Sequence, residues 1–157
     1  MYRSNLWRAS AATFFLLLGI SIATSATAQL KVWEDYEISD AVFSLTMVKL
    51  EPGTQDIYLE GLKSTWVAAN EVAQSLGHIE YYAIHANQAA APGAFDLLLV
   101  IKFPSTEMMG PSRERYNAFM EAWGSENQAA SNEKVLELYN NIREIQGQFM
   151  TRTITIK

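Results

Sequence analysis

Four polar residues interrupt otherwise apolar, strand-like stretches: His85, Asp96, Lys102 and Arg152. With Tyr81 and Tyr82 beside it, His85 is the kind of group that accepts a proton while phenols orient a small apolar ligand in a cavity beneath helices or at a sheet edge. Trp66, in the middle of a helical stripe, either stacks on such a ligand or packs in the core. The plainer alternative gives the polar strand residues rim hydrogen bonds and ion pairs in a dimer. His78 and His85 are an odd number of positions apart in one strand and so point to opposite faces, a poor pair of metal ligands. No metal is expected, and a lone strand histidine is weak evidence for an axial haem ligand. The chain has no cysteine, which excludes thiol nucleophiles and disulfides. A Gly-x-Ser-x-Gly elbow, a phosphate loop and a His-Glu-x-x-His pair are also missing, and no cofactor is implied.

These side chains need a sheet to hold them. Two apolar strands, His78 to Asn87 and Phe95 to Phe103, flank a loop containing Ala91, Pro92 and Gly93. In the second of them Leu97, Leu99 and Ile101 alternate onto one face, which belongs beneath helices. Asp96, Leu98, Val100 and Lys102 take the other face, apolar at its centre and charged at its ends, the pattern of an interface core with a rim. Ala41 to Leu50 is apolar on both faces and reads as a strand covered on both sides. Thr54 is a candidate cap for a helix in which Leu59, Leu62, Trp66, Ala69, Ala73 and Leu76 recur three and four apart, and Gly77 closes it. Pro111 opens and Gly124 closes a second helix carrying Tyr116, Phe119, Met120 and Trp123 on one side. Gly124 to Asn132 reads as a polar break. Ser131 then caps a last helix with Val135, Leu138, Tyr139, Ile142 and Ile145, Gly147 ends it, and Gln148 to Ile156 is a closing strand.

Ahead of all this, residues 1–28 have the parts of a secretory signal peptide: Arg3 and Arg8, an uncharged apolar run from Ala11 to Ile22, and Ala26-Thr27-Ala28 as a cleavage site. The run is shorter than the roughly 20 apolar residues a bilayer span needs. Removing these residues takes two of the twelve basic residues and none of the seventeen acidic ones, leaving a formal charge of −7. That balance argues against nucleic acid and anionic membrane as partners. The expected product is a soluble periplasmic or secreted protein with residues 29–40 as an extended lead-in. The acidic residues there, Glu34, Asp35, Glu37 and Asp40, read as a solvated segment.

The order strand, helix, strand, strand, helix pair, strand, with right-handed crossovers, predicts one α+β domain over residues 41–157. Its expected form is a ferredoxin-like split βαββαβ arrangement with an extra helix before the last strand, a four-stranded antiparallel sheet carrying helices on one face. The runs Tyr58 to Trp66, Gly77 to His85 and Phe95 to Leu99 resemble exported bacterial proteins of the dimeric α/β-barrel superfamily, a resemblance covering Val42 to Ile156. It departs at His85, where tyrosine is commoner. The resemblance implies a homodimer with two sheets packed face to face, burying Leu98 and Val100 between Asp96 and Lys102. It also implies kinship with cofactor-independent monooxygenases, haem-degrading enzymes and stress-responsive proteins. Two functions follow as expectations. One is an exported homodimeric module that binds a small apolar molecule or a partner, with His85, Tyr81, Tyr82, Trp66 and Arg152 as ligand-binding candidates. The other is a cofactor-independent oxidoreductase or isomerase. The module is favoured because no acid, base and electrophile assemble from the motifs.

Overall fold

The longest apolar strand, β2 (Val42–Leu50), lies inside the sheet because both its faces need cover. The structure, a computed structural model, describes residues 29–88, 91 and 93–157; the expected leader lies outside them. β3 (Tyr81–Ala86), β4 (Leu97–Phe103) and β5 (Arg143–Thr151) complete an antiparallel sheet of order β3-β4-β2-β5. Between β2 and β3 runs α1, residues 55–75; between β4 and β5 run α2 (Arg113–Trp123) and α3, residues 125–142. This is the ferredoxin-like split βαββαβ order, with the extra helix in place. Among the described residues, no helix is long and apolar enough to cross a membrane.

The helix-covered face carries the core, in which Val48, Leu50, Leu97 and Leu99 meet Tyr58, Leu62 and Tyr139. α1 ends as its sequence indicates. Gly77 takes a φ of +72° and donates to the Gln74 carbonyl, while His78 donates to that of Ala73, the paired bonds of a left-handed helix cap. At the other end Thr54 occupies the cap position, but its hydroxyl donates back to the Glu51 carbonyl and caps nothing.

Three boundaries differ from expectation. The stretch read as a polar break is helical from Ser125, because Gly124 (φ +86°) ends α2 and the chain restarts at once. That first part of α3 has no buried residue, so it has no apolar period to read. The last helix stops at Ile142, and Ile145 and Gly147 belong to β5, opposite Val48 and Met47. Finally, the lead-in contains a strand, β1 (Tyr36–Ile38), which pairs antiparallel with β6 (Ile154–Ile156) as a separate two-stranded ribbon.

The uncovered face is apolar at its centre. Register aligns Val100 with Leu45 and Ala83, Leu98 with Met47 and His85, and Lys102 with Phe43 and Tyr81; Phe149 stands opposite Leu45 and is half exposed. The charged ends of β4 find partners within the chain. Lys102 pairs with Glu80, and Asp96 accepts from the Leu50 amide at 2.7 Å and from Lys49 Nζ at 3.0 Å.

The Leu50 amide first, and Lys49 after it, hold the Asp96 carboxyl below its ordinary 3.8. A depressed carboxylate contributes stability that is present above the unfolded pKa and is lost as pH falls through the folded value. Asp96→Asn is therefore expected to lower the urea midpoint at neutral pH, and the gap to wild type should close in acid below the ordinary carboxylate range. A gap that persists unchanged there contradicts the assignment.

Candidate functional site

Gly61 stands inside α1, where glycine costs a helix about 1 kcal/mol relative to alanine. The reason is a close neighbour: a Cβ here would lie 2.8 Å from both Cε1 and the hydroxyl of Tyr139. α1 and α3 each contain one π-helical segment, Lys63–Val67 and Val135–Tyr139, and side chains of the two meet. Such wide turns recur at functional sites. The Thr65 hydroxyl donates to the Gly61 carbonyl at 3.0 Å and lies 2.8 Å from the Tyr139 hydroxyl. With the threonine proton committed to Gly61, Tyr139 is the donor to Thr65. A second tie runs from Lys134 Nζ to Ser64 Oγ at 3.0 Å.

Tyr58, fully buried, meets Tyr139 edge to face at 5.0 Å between centroids. Arg143, the first residue of β5, donates from Nη1 to the Tyr58 hydroxyl at 2.7 Å and lays its guanidinium 4.8 Å from the Tyr139 ring centre. Burial pushes both phenols above their ordinary 10.0, and the Arg143 charge beside them, with its bond to Tyr58, counters only part of this. Both phenols are therefore protonated at neutral pH, suited to hydrogen bonding and unsuited to act as bases.

This cluster forms one end of a cleft of about 270 Å³ whose apolar walls include Leu62, Trp66, Trp123 and Val135. Among the described residues no carboxylate or imidazole lines it, and the lining amides Gln128 and Asn132 bond to each other at 3.0 Å. A neighbouring groove of about 350 Å³, past Ala69, includes His78, Asn70 and Arg115. Asn70 there donates to the Trp66 carbonyl, and Arg115 to the carbonyls of Glu107 and Gly110, so these groups serve the backbone.

Of the residues singled out from sequence, the structure brings Trp66 and Tyr82 together, edge to face at 5.7 Å beneath the helices. Only Trp66 lines the cleft; the Tyr82 hydroxyl points to Glu71. Tyr81 and His85 lie on the opposite, uncovered face of β3, both exposed. Arg152 is at a far corner, donating to the carbonyls of Ser39 and Asp40 where the β1–β6 ribbon leaves the sheet. Tyr58, Thr65, Tyr139 and Arg143 were not singled out as a site from sequence. They lie in three different elements, and the one available signal was Gly61, since an interior helix glycine asks what packs against it.

No protein-family model matches this chain, and no curated protein matches it. Solved structures do. HapK from Hahella chejuensis is 16% identical, with a TM-score of 0.42 over 71% of this chain and 91% of that one. A NIPSNAP family protein of unknown function from Agrobacterium tumefaciens is 13% identical, with a TM-score of 0.47 over 78% and 95%. A dimeric ferredoxin-like protein of unknown function from Thermobifida fusca is 10% identical, with a TM-score of 0.38 over 74% and 92%. What the cleft takes is read from its own side chains.

Proposed function

We propose that the chain is an exported, homodimeric binding module that holds a small, largely apolar molecule in the cleft between α1, α2 and α3. The observation that carries this reading is the cleft's composition: tryptophan and aliphatic walls beside two tyrosine hydroxyls that are hydrogen-bonded within the protein and stay protonated. Such a site fixes a ligand's position without a group poised to take its proton. An oxidoreductase or isomerase of the cofactor-independent kind is the second reading, and it would draw its base from outside this cleft, where His85 is the nearest candidate by chemistry.

The dimer uses the uncovered sheet face, and export uses the leader over residues 1–28. Native mass spectrometry of protein expressed with its leader in a Gram-negative host and taken from the periplasm tests all three parts. The expected species is a dimer of chains beginning at Gln29 that releases a small-molecule adduct on activation. Full-length chains retained in the membrane fraction would overturn export. A ligand-free monomer that also takes up nothing from a panel of small aromatic compounds would overturn the module.

A further inference from the structure

Arg143 is half-buried in a chain whose residues 29–157 carry a net charge of −7, yet among the described residues no carboxylate pairs with it. Nη1 serves the Tyr58 hydroxyl, and the guanidinium carbon lies 4.8 Å from the centre of the Tyr139 ring and 5.6 Å from that of Tyr58. The remaining N–H groups meet no protein acceptor among the described residues, although guanidinium offers five donors in a planar fork. These contacts hold the guanidinium at the cleft wall. A cation so held, beside aromatic walls and with no carboxylate in ion-pair contact among the described residues, matches a ligand carboxylate, which accepts two parallel N–H bonds. The volume, about 270 Å³, lies just under the roughly 300 Å³ at which pockets for drug-sized molecules begin, and so suits one or two rings.

We propose that the cleft binds small aromatic monocarboxylates, with the carboxylate on Arg143 and the ring against Trp66 and Trp123. This rests on the cleft being a binding site, and it names the ligand class. Naphthoate and its neutral amide, naphthamide, separate the two claims without altering the protein. Calorimetric titration of the exported chain is expected to show naphthoate binding at least about tenfold tighter than naphthamide, in keeping with charge-assisted bonds. The advantage should shrink with added salt and disappear in Arg143→Gln. Trp123→Ala should weaken both ligands together, which locates them in this cleft.

Equal affinity for acid and amide overturns the carboxylate preference and leaves the cleft as a neutral binding site. Failure of both to bind overturns the ligand class, while the binding reading itself falls only with the broader panel. Unchanged affinity for both in Trp123→Ala places binding elsewhere and overturns the proposal. If Arg143→Gln fails to fold, the comparison of acid with amide on unaltered protein, at low and high salt, decides.

Discussion

Truncating Tyr139 to alanine is expected to destabilise the protein by about 3 to 5 kcal/mol, the usual cost of emptying a large aromatic site in a core. Tyr139 is 2% exposed, and its ring fills the space left by Gly61, supports the Arg143 guanidinium and meets Tyr58 edge to face. Tyr139→Phe keeps the ring and removes the bond to Thr65, so it should cost only about 1 kcal/mol. Gly61→Ala should be strongly destabilising in the wild-type background, where its Cβ collides with the Tyr139 ring, and far less so in Tyr139→Ala. Urea denaturation of the four proteins in that cycle measures the coupling. Additive costs for Gly61→Ala and Tyr139→Ala would mean that the two residues do not share this contact.

Leu98→Asp is expected to turn the proposed dimer into a monomer. Each chain contributes one copy of the residue to the face, so a new carboxylate is buried twice. At about 2 kcal/mol for each poorly compensated group, the dissociation constant rises on the order of a thousandfold. Phe149→Asp should act the same way, since that ring is 50% exposed in the single chain. Val100 is a poorer probe, because Leu45 and Ala83 on the flanking strands already leave it only 6% exposed and a charge there damages the protomer itself. Sedimentation at micromolar concentration is the measurement. A monomeric wild type, or a Leu98→Asp protein that remains dimeric, would remove the sheet face as the interface.

How far the sequence could be read followed from how local each signal is. β4 announces both of its faces within seven residues, and Gly77 ends α1 by a conformation few other residues accept. The sheet order then follows from the sequence of elements and the handedness of crossovers. The beginning of α3 is solvated and has no period, so its polar sequence reads as a break although the segment is helical. β1 has three residues, and its pairing partner lies at the other end of the chain, so no local pattern marks it. The cleft was hidden for the same reason. Thr65 and Tyr139 are 74 positions apart, and Arg143 is 85 from Tyr58; their meeting depends on how α1 and α3 lie over the sheet. His85 and Tyr81, conspicuous in sequence, are on the side of the strand away from the cleft.

The β1–β6 ribbon bears on how the chain limits edge-to-edge pairing. It displays Ile154 and Ile156 to solvent, with Val32 and Trp33 exposed just ahead of β1, a set that on a long flat strand would recruit further chains edge to edge and grow into fibrils. Here each strand is three residues long, interrupted from the main sheet at Ser39 to Ala41 and at Arg152 and Thr153. Arg152 anchors the break through the Ser39 and Asp40 carbonyls, and the ion pairs Lys157–Glu37 and Lys31–Glu34 place charge along the ribbon. A template so short, charged and offset gives an incoming strand few backbone partners along which to propagate.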